Sequence, residues 1–203
     1  MQINMSVQPG HDWTQPLGLL SDCHRRVEKF LGIIAQAAAG LNGGALDAGS
    51  REALAKALTY FRQAAPMHTA DEEESLFPRL RAADTDEARA ALAQVDGLED
   101  DHRTADWQHA EVDALGNCWL AEGTLREDDA RRLTELSLGL QEHYRGHIAL
   151  EDTVIFPLAG RAIPERELLE VGREMAIRRG LDPDARTPES RCVSRRQGVA
   201  IRV

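Results

Sequence analysis

Cysteine is scarce in this 203-residue chain: Cys23, Cys118 and Cys192 are an odd number and form no C-x-x-C pair. That excludes a disulfide framework and fits a reducing cytoplasm. Long apolar runs are missing as well. Uncharged apolar stretches such as Phe30 to Gly40 fall well short of the ~20 residues a spanning helix needs, which excludes an integral membrane protein. Met1 to Gly10 has neither a basic start nor an apolar run, so no signal peptide is expected. Positive charge is in deficit: 24 Lys and Arg against 34 Asp and Glu leave a formal charge of −10. A nucleic-acid binder needs clustered cations to displace counterions, so that class is set aside. Alternating β-branched runs are rare, which leaves the helical period dominant and predicts an all-α fold.

What is present suffices for one core, since 42% of the residues are hydrophobic, an ordinary share for a globular chain. Leu20, Cys23, Val27, Phe30, Leu31 and Ile34 recur at three- and four-residue steps, with caps available at Asp12 or Thr14 and a stop near Gly40. The small polar stretch from Gly40 to Gly49 reads as a loop. Ser50 is a good N-cap for a second stretch through Tyr60 and Phe61; Pro66 should kink it before it resumes from Met67 to about Phe77 and ends at Pro78. A third helix should follow Thr85, with Asp86 and Glu87 in its first turn, and run to about Gly116, weakened at Gly97. Thr124 and Glu127 have capping-box spacing and mark a fourth helix that continues to Phe156 and stops at Pro157. A fifth, shorter helix opens at Pro164 and closes on Arg178, Arg179 and Gly180. The expected architecture is an up-down-up-down four-helix bundle with an additional short C-terminal helix over residues 16–180, after a lead of residues 1–15. Residues 181–203 lack periodicity, carry five arginines against three acids, and read as a disordered tail.

The seven histidines are not scattered. His68-x3-Glu72-x3-Leu76-Phe77-Pro78 repeats 79 residues later as His147-x3-Glu151-x3-Ile155-Phe156-Pro157. Residues four apart differ by about 40° around a helix, so each His stacks over its Glu on one face and both can reach one ion. A further histidine precedes each copy: His24 lies 44 residues before His68, and His102 lies 45 before His147. If four helices alternate in direction, all four imidazoles and both carboxylates can face one interior, the way metal sites in bundle cores are assembled. The mixed nitrogen and oxygen donor set suits iron, manganese or zinc, and best a pair of irons. The remote ring nitrogens need acceptors, with Asp71, Asp101 and Asp152 available by position.

A lone histidine on a helix is more often a surface or satisfied core residue than a ligand, and Asp71 to Glu74 alone reads as a solvated acidic face. Repetition of one gapped pattern weighs against both plain readings. Further ligands could come from His143, Asp106, His109, Glu28 or Asp152. Phe77 and Phe156 are expected to pack a bundle end, Trp107 to pack in the core, Cys23 and Cys118 to be buried small hydrophobes, and His11 to lie unpartnered on the surface. Glu99-x-x-His102 has the spacing of ferritin-like diiron proteins, but Ser21 and Tyr144 occupy the equivalent places before His24 and His147.

At these residues the sequence resembles the hemerythrin-like proteins of the bacterial HHE cation-binding type. Cys23-His24-Arg25, Tyr60-Phe61, His68 to Pro78, Asp101-His102-Arg103 and Tyr144-x-x-His147 to Pro157 carry the likeness. The resemblance implies a four-helix bundle around two non-haem irons bridged by the two carboxylates and an oxygen atom, with His24, His68, Glu72, His102, His147 and Glu151 as ligands. It also implies dioxygen, peroxide or nitric oxide as the small ligand, bound or sensed, or iron handling; a peroxide-consuming or oxidase-type di-iron enzyme is the alternative, and a metal-free adaptor a third. Oxygen carriers carry a second histidine where this chain has Asp106, and their last carboxylate lies where this chain has Asp152. A carboxylate donor in place of an imidazole stabilises ferric iron, which favours sensing, storage or irreversible oxidation over reversible oxygen carriage.

Overall fold

The structure, a computed structural model, describes residues 10–183. The expected disordered tail and most of the expected N-terminal lead lie outside them. Ten helical elements follow one another: α1 (Pro16–Leu41), α2 (Ala48–Gln63), α3 (Ala65–Ala70), a π-helical turn (Asp71–Leu76), α4 (Phe77–Ala82), α5 (Asp86–Glu122), α6 (Glu127–Leu150), a second π-helical turn (Glu151–Ile155), α7 (Phe156–Ala162) and α8 (Glu165–Arg178). The described residues contain no strand, and no helix among them is long and apolar enough to cross a membrane.

Helix ends follow local chemistry, in several cases two or more residues from the expected position. Asp47, not Ser50, caps α2, its side chain accepting from the Ser50 amide at 2.7 Å. Thr85 caps α5 by accepting from Ala88 at 3.0 Å, and that helix runs through Gly97 without a break to Gly123, whose φ of 80° suits glycine. Arg126 stands at the N-cap of α6, so Thr124 makes no capping box. Pro66 sits in the first turn of α3, directly after the break at Ala64, as a proline kink should. Pro78 and Pro157 do not stop their helices. Each sits in the first turn of the α-helix that follows a π turn, where the wider backbone ring ahead relieves the clash proline would otherwise make.

Packing contacts run α1 to α2, α2 to α5, α5 to α6 and α6 back to α1, so four rods close a ring. The interior holds two apolar clusters. One gathers Leu20, Leu76, Phe77, Val95, Leu98, Ile155 and Phe156 beneath Val171 and Met175 of α8. The other gathers Val27, Leu31, Ile34, Leu54, Leu58, Trp119, Leu133 and Leu140. Along every rod a histidine position falls where one cluster gives way to the other: His24 between Leu20 and Val27, His102 between Leu98 and Ala105. A polar layer therefore lies between two apolar ones.

The eighth helix is fastened over the first cluster and the first π turn. Arg79 and Glu174 pair through two bonds of 2.8 and 3.0 Å. Gly172 admits the N-terminal segment so closely that a β-carbon there would stand 1.8 Å from the Trp13 carbonyl oxygen. Gly172→Ala is expected to push that segment off α8 and destabilise the fold by about 1–3 kcal/mol, read as a lower thermal midpoint than wild type.

Candidate metal centre

The signature has a constant step of four, and four is not the α-helical period of 3.6. Three such steps in an ideal α-helix would carry Leu80 about 120° away from His68. The π turns absorb that drift. In each, the carbonyl of the signature glutamate accepts from the phenylalanine five residues on, Phe77 to Glu72 and Phe156 to Glu151. His68, Glu72, Leu76 and Leu80 consequently all face inward, as do His147, Glu151, Ile155 and Ala159.

The six residues singled out by the repeats converge. His24, His68, Glu72 and Glu151 form one group whose donor atoms lie within 4.8 Å of each other, and Glu72, His102, His147 and Glu151 form a second. Both carboxylates belong to both groups. Glu72 turns Oε1 toward His24 and His68 at 3.8 and 3.3 Å, and Oε2 toward His102 at 3.4 Å. Glu151 Oε2 stands 3.1 Å from His24 and 3.2 Å from His147. Glu72 and Glu151 are wholly buried, and none of the four histidines is more than 6% exposed.

These close approaches are not hydrogen bonds. All four oxygens of Glu72 and Glu151, together with His24 Nε2, are buried without a hydrogen-bond partner. Burying a carboxylate in that state costs several kcal/mol, and native interiors rarely leave such groups unsatisfied. Two divalent cations, each between two imidazoles and sharing both carboxylates, would satisfy every one of these atoms, so the residues present fit such a pair. The electrostatics lean the same way. Burial pulls His24 down, but Asp152, Glu151 and Glu72 overcome it and push the imidazole up to about 11. His102, with Glu72 and Glu73 against a similar burial cost, is pushed up to about 9. Glu72 is buried, which raises it, yet His68, His102 and His24 hold it well below the usual carboxylate range. The pocket demands positive charge.

Residues 15–159 match the hemerythrin HHE cation binding domain. The chain belongs to this family. An uncharacterized protein of Haemophilus influenzae is also similar, 29% identical over 181 residues that cover 88% of this chain and 98% of the relative.

In this HHE domain the remote nitrogens of three histidines face acids, which fixes ring orientation. Asp152 lies 2.9 Å from His24 Nδ1 and is itself held by Ser21 and Arg25. Asp101 lies 3.4 Å from His147 Nδ1. Glu73, read from sequence only as part of an acidic face, lies 2.8 Å from His102 Nδ1. Its place behind His102 depends on how α5 abuts the π turn, not on any spacing within one helix, so no sequence pattern pointed to it. Asp71 does not serve a histidine: it is buried and paired with Arg178 and Arg179, the latter through two bonds of 2.6 and 3.1 Å. The remote nitrogen of His68 is instead buried without a hydrogen-bond partner, and its ring is influenced electrostatically by the Cys23 thiol.

The remaining candidates lie outside both groups. Asp106 is exposed, and Glu28 is half-exposed and paired with Arg25 at 2.9 Å. His143 joins Asp101 and His147 in a separate cluster. Trp107 is 52% exposed and packs no core, a place Trp119 takes, and Cys118 is exposed rather than buried. His11 is exposed but bonded to Asp22 at 3.1 Å. His109 stacks on Phe61 and bonds Tyr144 at 2.9 Å.

Burial, with a smaller contribution from His143, pushes His109 from 6.5 down to about 4. Below pH 6.5 the unfolded chain takes up a proton that the folded chain refuses until about pH 4, so this residue's share of stability is lost as pH falls through that window. The expected loss is about 3 kcal/mol, measured as the difference in denaturant-unfolding free energy between wild type and His109→Leu at pH 7 and pH 4.

Proposed function

We propose that this HHE protein holds two non-haem iron ions through His24, His68, Glu72, His102, His147 and Glu151, and uses them to bind or sense a small ligand, dioxygen, peroxide or nitric oxide. The observation that carries this reading is that Glu72 and Glu151 are common to both donor groups. In this reading residues 16–180 form an up-down-up-down bundle with α8 added. The order of apolar clusters supports it: the chain meets the α8-side cluster before the histidine on α1 and α5, and after it on the second and fourth rods. A cytoplasmic location accords with free Cys23 and Cys118.

Iron so held would supply reversible electron exchange and an open position for one small ligand. The chain's own residues do the rest. Asp152, Glu73 and Asp101 fix three imidazoles with Nε2 inward. Leu20, Leu98, Phe77 and Phe156 on one side and Val27, Leu140 and Ile148 on the other exclude bulk water. Enclosure selects for size. A groove of about 570 Å³ runs along α1 and α2, and a cavity of about 300 Å³ lies among His11, Trp13, Cys23, Arg26 and Arg179, but none of the six residues lines either. That favours a diatomic or peroxide ligand over an organic substrate.

Metal analysis of anaerobically purified protein, with visible spectra before and after air, tests the proposal. About two irons per chain and an air-dependent band are expected; stoichiometric zinc alone overturns the redox reading. His68→Ala and His147→Ala should each remove at least half the metal, and His11→Ala none. Sustained peroxide consumption that His68→Ala abolishes would replace the binding reading with the enzymatic one.

A further inference from the structure

We propose that Asp101, His143 and the Nδ1 side of His147 form an outer site for a divalent cation, from which metal is passed to the buried centre. The proposal rests on the two-metal reading above but concerns different atoms. A donor atom from each of these three residues lies within 4.8 Å of the other two. Two imidazoles and a carboxylate on one side of an ion, with water on the other, is a donor set that divalent zinc, manganese and iron accept.

The distances single out this place. His24 and His102 stand 2.9 and 2.8 Å from their acids, normal for a charge-assisted bond. His147 and Asp101 are 3.4 Å apart. That is long for such a bond, yet it equals the ~3.4 Å edge of a tetrahedron whose metal–ligand bonds are ~2.1 Å. Exposure grades inward along the same three residues: the Asp101 side chain is 43% exposed, His143 is half-buried, and the His147 side chain is 2% exposed. His147 alone belongs to both this cluster and the centre, offering Nδ1 outward and Nε2 inward. A net charge of −10 draws cations to the surface generally; this cluster gives them one place to shed water.

The shared ring makes the two occupancies exclusive. An ion on Nε2 leaves the ring proton on Nδ1, where it is donated to Asp101 and closes the outer site. Filling the centre thus clears the landing place.

Metal-free full-length protein is mixed with zinc ion in a stopped-flow instrument with a chromophoric chelator, and wild type is compared with His143→Ala and His143→Asp. The expected result is loading at least tenfold slower in His143→Ala, the same final two zinc ions per chain, and most of the rate restored in His143→Asp, which keeps a donor. Equal rates in wild type and His143→Ala overturn the outer site while leaving the centre intact. A lower final stoichiometry in His143→Ala also overturns it, because His143 would then belong to the centre itself. Wild type that takes up no zinc overturns both readings.

Discussion

Two carboxylates are buried in the middle of this molecule without a single hydrogen bond to their oxygens, and the surrounding construction answers to that cost. An uncompensated buried charge is among the most destabilising features a fold can hold. Four imidazoles surround Glu72 and Glu151, and three of those rings are backed by acids nearer the surface. Charge thus alternates outward from the centre: carboxylate, imidazole, carboxylate, and at His24 a guanidinium from Arg25 beyond Asp152. Apolar clusters above and below keep water from screening any of it.

Asp71 and Glu72 are adjacent, equally buried and of like charge, yet the fold treats them differently. Asp71 is neutralised by Arg178 and Arg179 at the end of α8, with Arg178 reaching on to Glu74 at 3.1 Å. Glu72 receives no guanidinium and meets only imidazoles. Arginine stays protonated and cannot bind a metal, whereas neutral histidine can. Partner type, not burial, thus separates a structural acid from a candidate ligand one residue away. It also gives α8 a purpose beyond covering the apolar end: without it, a second naked carboxylate would share the turn with Glu72.

Much of the centre was legible in the sequence because repetition is a one-dimensional signal. The two H-x3-E copies and their preceding histidines point at six residues that the fold does bring together. The helices were legible from their period, and their caps less so: Asp47 takes the Ser50 amide three residues ahead of the expected cap, and α6 begins after Arg126 with no side-chain cap at all. What the sequence could not show is contact between rods. Glu73 behind His102 and Asp71 under Arg178 and Arg179 both depend on how helices far apart in the chain are rotated against each other. Trp107 and Trp119 differ for a simpler reason: Ala91, Leu98, Ala105, Val112 and Trp119 form a buried stripe at seven-residue steps, which leaves Trp107 outside it and sets Trp119 beneath the α1–α2 loop, where its Nε1 donates to the Gly44 carbonyl at 2.9 Å.

The two π turns are the one feature for which the motif itself held an unused clue: its step of four never matched an α-helix. Each turn works as a phase adjuster between a metal-facing half of a rod and a core-packing half. Removing one residue from Asp71–Leu76 would let the backbone relax to the ordinary helical pitch with the part beyond still in phase, because eleven α-helical steps from His68 to Leu80 leave only about 20°. An uninterrupted α-helix of unchanged length would instead carry Leu80 about 120° from His68 and out of the core. Each extra residue is therefore matched to its π turn, and chain length there can change only where the winding changes with it.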